Sequence, residues 1–161
     1  MTLSFSTQIN GKNTYFPEKI LHSLEIQDSA DKYQMAVIER ADLNLSVYWN
    51  CYAKKHTIRE DKANRWQPGV KIHFVIYNRS PKRYQFAPIK PVTLVQAIEI
   101  IYPEVLEEGE HPIVKVDGIK LMPNQIRRLA INDGFLSANE FFEYFNTPFT
   151  GKIIHWTNEK Y

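Results

Sequence analysis

One hydroxyl stands among cations in the run Lys54-Lys55-His56-Thr57-Ile58-Arg59-Glu60-Asp61. A polar loop with Asn64, Arg65 and Trp66 follows, then the turn Gln67-Pro68-Gly69, then a strongly β-prone stretch over residues 70–77. Such an arrangement builds a basic, hydroxyl-bearing wall at the mouth of a small barrel. Residues 54–90 hold ten Lys/Arg against two acids, a net +8, while the rest of the chain holds ten against sixteen, a net −6. The overall +2 therefore conceals a polarised molecule whose anion-seeking end is this segment. Lys55, Arg59 and Arg65 are candidates for phosphate contacts, which set nucleic-acid affinity and its salt dependence. His56 is a candidate hydrogen bonder on the ligand side. Trp66, between Arg65 and Gln67, is hard to place in a core and is the best candidate to stack on an unpaired base.

The elements that must position these residues are short. Residues 56–59 and 70–77 read as strands, with turn chemistry at 78–81. Further strands are expected over 83–87 and 92–102, and Pro88 and Pro91 suit a barrel corner or sheet edge better than a central strand. Residues 113–116 and 119–121 flank Asp117-Gly118, the strongest two-residue hairpin signal in the chain. Before the basic segment, residues 3–9 alternate as a half-buried strand, and residues 14–24 form a helix with Pro17 in its first turn. Residues 27–32 read as a loop, residues 33–52 as an inserted helical excursion, and the acidic stretch 104–110 as a solvated loop. Towards the C-terminus, Pro123 opens a helix carrying Ile126, Leu129 and Ala130, and Gly134 closes it. Ser137 and Glu140 make a capping box for a second, aromatic helix. Residues 152–157 form a closing strand.

Bulk composition narrows the class. A chain of 161 residues fits one domain, and 43% hydrophobic with 24% charged residues is the composition of a soluble, folded protein. No signal peptide and no membrane-spanning run is visible. With Cys51 the only cysteine, a reducing cytoplasm is the expected compartment, and the thiol reads as a half-buried small hydrophobe. The five histidines (His22, His56, His73, His111, His155) include no pair at metal-ligand spacing, so no metal is expected. Without G-x-G-x-x-G or a Walker loop, no nucleotide cofactor is expected either.

The pattern Lys54-x-x-Thr57-Ile58-Arg59, followed by Pro68-Gly69 and an apolar strand, resembles the ASCH (activating-signal-cointegrator homology) family. So does Ala130-x-x-Asp133-Gly134-Phe135, with the serine-capped aromatic helix and closing strand behind it. The chain looks most like the small stand-alone members of phage and bacterial genomes. The resemblance covers about two thirds of the chain and implies an α+β fold, a small PUA-like mixed β-barrel with an N-terminal helix and two C-terminal helices; residues 33–52 have no counterpart in it and read as a helical insertion within one domain over 1–161. It also implies a cleft for RNA, single-stranded nucleic acid or a modified nucleoside.

Some small members of that family are amidohydrolases of N4-acylated cytidine that use a lysine, a threonine and a glutamate. Carried over, the lysine is Lys54, the threonine Thr57, and the acid falls at Asp133, one methylene shorter than the family's glutamate. The chemistry is coherent, since a threonine hydroxyl needs an adjacent base and a desolvated lysine among cations sheds its proton readily. The plainer alternative is that Thr57 is an ordinary strand residue, Lys54 a solvated charge and Asp133 a helix-end carboxylate. A basic module binding nucleic acid or nucleoside is the leading expectation, with the amidohydrolase as its alternative. A phage-encoded protein-interaction module, presenting the aromatic helix over 141–145, is the third reading.

Overall fold

Asn10 and Gly11, at φ 49° and 75°, fold the chain back on itself soon after it begins, making a two-residue hairpin from β2 (Gln8–Ile9) and β3 (Lys12–Asn13). The single strand expected over residues 3–9 is broken at residues 5–7 into β1 (Thr2–Ser4) and β2, and Thr14 ties the break by donating from its amide to the Thr7 carbonyl and from its hydroxyl to the Ser6 carbonyl. The computed structural model describes residues 1–24, 43–105 and 111–161. The loop expected at 27–32, the first part of the expected 33–52 excursion and residues 106–110 of the acidic loop lie outside them.

After the hairpin come α1 (Phe16–Ser23), with proline in its first turn, and α2 (Leu45–Asn50), capped by the Asn44 side chain. The strands β4 (His56–Arg59), β5 (Lys71–Ile76), β6 (Tyr84–Gln85), β7 (Lys90–Pro91) and β8 (Leu94–Ile101) follow. A hairpin of β9 (Ile113–Val116) and β10 (Ile119–Lys120) turns on Asp117 and Gly118 with φ 49° and 81°, the paired positive values that a two-residue turn of this kind requires. Then come α3 (Pro123–Asn132), α4 (Ala138–Tyr144) and β11 (Phe149–His155). The fold is α+β. Its strands form one sheet in the order β10-β9-β8-β11-β4 and a second in which β5 pairs with β1, β6 and β7; among the described residues the hydrogen-bonded ladders do not close into a ring.

Two clusters of apolar side chains lie against these sheets. In the first, Phe5, Phe74, Phe86 and Trp156 meet at ring-centroid separations of 5.2 to 6.2 Å, with Ile20, Leu21, Ile72 and Ile154 around them. In the second, the stripe Ile126, Leu129 and Ala130 of α3 and Phe141, Phe142 and Phe145 around α4 cover Ile98, Ile100, Val114, Val116 and Ile153. The aromatic helix expected over 141–145 is therefore largely core: Phe141 is fully buried, while Tyr144 remains exposed. Phe135, just after α3, packs against both clusters. No helix among the described residues is long and apolar enough to cross a membrane.

Candidate functional site

Strand β4 is an edge strand, and the chain secures it from two sides. The Lys54 amide donates to the Lys19 carbonyl of α1 at 2.9 Å, and the Lys55 amide donates to the Asn132 carbonyl at the end of α3 at 2.8 Å. The exposed ladder that an edge strand presents is thus covered where the motif begins. β4 is held to β11 in the register Thr57↔Ile154 and Arg59↔Lys152. Side chains alternate along a strand, so Thr57 and Arg59 share one face, and His56 and Ile58 the other.

Beside β4, residues 79 apart in sequence meet. The Lys54 ammonium donates to the Asp133 carboxylate at 2.6 Å and also to the Asp133 carbonyl, and both side chains are almost wholly buried. Gly134, at φ 94°, closes α3 in the left-handed conformation as anticipated. It is also crowded: a Cβ there would lie 2.9 Å from Phe16 Cε1 and 3.0 Å from Lys54 Cδ. The Lys54 ammonium sits 4.6 Å from the centre of the Phe16 ring. Thr57 is buried on β4. Arg59 donates from Nη2 to the Ser4 carbonyl at 2.8 Å and lies 5.5 Å from the Phe5 ring centre, while its buried Nε has no partner among the described residues.

Burial sets the electrostatics. It pushes Lys54 down to about 8, against the pull of the adjacent Asp133 carboxylate, with Arg59 and Lys19 adding to the lowering. Burial likewise raises Asp133 above the ordinary carboxylate range, against the attraction of Lys54. A lysine with a substantial neutral fraction near pH 7 to 8 is a competent proton acceptor.

The remaining candidates disperse. Trp66 is only 4% exposed and belongs to the first core cluster, so the expectation that it stacks on a base from a polar loop is corrected. The cause is Asp61, whose two carboxylate oxygens accept the backbone N–H groups of Arg65 (3.0 Å) and Trp66 (2.9 Å) and so fold the loop with the indole inward. His56 is likewise not at a ligand-accessible surface. It is fully buried on the other face of β4, against His155 (ring centres 5.1 Å apart) and Tyr161, whose hydroxyl is 3.3 Å from Nε2. Arg65 is exposed and pairs loosely with Asp61 at 4.0 Å. Lys55 faces away from Lys54 and pairs with Glu159 at 3.1 Å, on an open concavity of about 920 Å³ that Lys90, Arg128 and Lys160 also line.

A second cavity, of about 470 Å³, opens between the β2–β3 hairpin, α1, α2 and α4; among the described residues its walls include Thr14, Tyr15, Phe16, Lys19, Gly134 and Phe135. Lys54, Thr57 and Asp133 do not line it. Lys54 runs behind Phe16 and Gly134, which its side chain approaches on the way to Asp133. Lys19 does line it, and no sequence motif pointed there. The signal was its position three residues after Phe16, on the side of α1 that carries the apolar stripe. Among the described residues no group of three or more His, Cys, Asp or Glu could hold a metal ion.

Comparison with protein-family models, with curated protein sequences and with solved structures found no match to this chain in any of the three.

Proposed function

We propose that the chain is an ASCH-type module, with its two main sheets as the walls of a PUA-like barrel, and that it hydrolyses the exocyclic amide of N4-acylated cytidine. One observation carries the reading: the buried 2.6 Å contact between Lys54 and Asp133, held against the strand that bears Thr57. Neutral Lys54 accepts the Thr57 proton as Oγ1 attacks the acyl carbon. The tetrahedral intermediate collapses, the C–N bond breaks, and the cytosine amine leaves with the proton that Lys54 carried. Water, deprotonated by Lys54, then attacks the acyl carbon, the C–Oγ1 bond breaks, Lys54 returns its proton to Thr57 Oγ1, and the acid is released. Asp133 fixes the ammonium through two contacts and is a positioning residue, and its shorter side chain suffices because Lys54 reaches both its carboxylate and its carbonyl. Phe16 separates Lys54 from the 470 Å³ cavity, so the ring must swing aside when substrate enters from there.

The test is incubation of the purified protein with N4-acetylcytidine at low salt, following cytidine by chromatography. Turnover that disappears in both Lys54→Ala and Thr57→Ala is the expected result. Absence of turnover in the native chain sinks the reading for this substrate.

A second reading is favoured by the 920 Å³ concavity, where among the described residues Lys55, Lys90, Arg128 and Lys160 face a single acid, Glu159. There the chain binds single-stranded RNA or DNA through phosphates. Retention on single-stranded nucleic acid that weakens with salt and with Lys90→Ala plus Lys160→Ala would support it, and retention indifferent to both would dismiss it.

A further inference from the structure

Lys19 is only 6% exposed, yet it forms part of the wall of the 470 Å³ cavity. An ammonium offers three protons. Among the described residues one of them has an acceptor, the Gly134 carbonyl at 2.6 Å, and no carboxylate lies within ion-pair distance. The nearby acids are already engaged: Glu18 accepts the Asn44 amide at 3.0 Å, and Glu140 accepts the Leu136 amide at 2.8 Å. Burial holds Lys19 below the ordinary lysine value, and Cys51, Glu140 and Glu18 oppose the shift only from a distance. A buried ammonium with unused donors is costly unless an acceptor arrives.

The walls indicate which acceptor. Among the described residues of the wall, Lys12 and Lys19 are balanced by Glu140 and Glu143, so these walls of the cavity carry no excess charge with which to capture an anion. Its other surfaces are aromatic and amide-bearing, including Tyr15, Phe135 and Tyr144 with Asn13 and Asn50. A flat, neutral heterocycle with a ring carbonyl matches both features.

We propose that Lys19 is the ligand-binding donor of this cavity and holds the ring carbonyl oxygen of a neutral heterocycle, the 2-oxo group when the ring is cytosine. The identification of the ring as cytosine rests on the proposed hydrolysis. Gly134, which Lys19 already contacts, directly follows Asp133, so a ring anchored there lies beside the Lys54–Asp133 pair, with Phe16 between.

The experiment is titration of cytidine into the native protein and into Lys19→Met, by calorimetry. In parallel, NMR of the ¹³C-labelled lysine Cε groups follows the native protein alone. Expected are saturable cytidine binding, a shift of the Lys19 resonance on binding, and affinity weaker by about tenfold to a hundredfold in Lys19→Met, the loss of a charge-assisted hydrogen bond. Cytidine 5′-monophosphate should bind no more tightly than cytidine, whereas a marked preference for it would overturn the neutral-ligand assignment. With N4-acetylcytidine, Lys19→Met should raise KM with kcat little changed. No cytidine binding by the native protein, an unmoved Lys19 resonance, or equal affinity in Lys19→Met would each overturn the proposal. Lys19-dependent binding without turnover would sink the hydrolysis and leave Lys19 as the anchor; turnover indifferent to Lys19→Met would do the reverse.

Discussion

Two opposite charges buried together contribute little net stability, but separating them is expensive, because the survivor stays desolvated. Lys54 and Asp133 are such a pair. Asp133→Asn should therefore destabilise the fold by about 3–5 kcal/mol, and the double change Lys54→Met with Asp133→Leu should recover much of that loss. Urea denaturation of the three variants checks both statements, and equal stabilities throughout would mean that the pair is solvated. The same burial predicts the pH dependence of the proposed reaction. A base works in its neutral form, and Lys54 is held down to about 8. Thus kcat/KM should rise with pH below about 8 and level off above it, and a flat profile from pH 6 to 9 would remove Lys54 from the role of base. At this scale the sequence was partly readable. Lys54, Thr57 and Arg59 sit together in the chain, and Asp133 could be paired with them through the order of two motifs. Trp66 has polar neighbours that suggest exposure, whereas its position is decided by Asp61, five residues upstream. Lys19 carries only a weak signal, its place on the apolar side of α1, because a lysine on a helix ordinarily reaches for water.

Among the elements, the turn from α3 into α4 governs how the site is framed. Gly134 combines a φ of 94° with close approach to Phe16 and Lys54. Gly134→Ala should cost about 1–2 kcal/mol for the left-handed backbone and a further 1–3 kcal/mol for displaced neighbours. The companion measurement is a fall in melting temperature larger than that of Ser137→Ala. In Ser137→Ala only the cap is lost, in which Ser137 Oγ accepts the Glu140 amide at 3.2 Å, worth about 1 kcal/mol. Glu140 does not return the bond to Ser137 as a capping box would; its carboxylate accepts the Leu136 amide instead. Local signals such as Pro123, Gly134, Ser137 and Asp117-Gly118 marked their elements well, because caps and tight turns depend on a few adjacent residues. Pairing partners were not readable. Nothing in the alternation of residues 2–4 states that β1 runs parallel to β5, with Leu3 opposite Phe74, since that choice is made by the packing of Phe5 and Phe74 across the core.

Across the molecule, the buried His56 and His155 link stability to acidity. Burial pushes His155 down to about 4, against the pull of Glu159 and Asp117. It also holds His56 well below its ordinary value, with His155, Lys54 and Lys55 adding to the effect. Between the unfolded histidine value near 6.5 and these lowered values, the unfolded chain binds protons that the folded one refuses. The histidines' contribution to stability should thus be full above pH 6.5 and decline as pH falls towards 4, and denaturation midpoints at pH 7.5, 6 and 5 would show it. A midpoint unchanged over that range would mean that the histidines titrate normally. Sheet order carries one more consequence, for synthesis rather than for chemistry. β4 reaches the five-stranded sheet only through β11, which lies between it and β8 and is the last strand in chain order. A ribosome delivers Thr57 roughly a hundred residues, or several seconds, before the strand that holds it in place. The nascent chain therefore carries Thr57 on a strand that lacks its β11 partner until residues 149–155 emerge, and the proposed site can form only then.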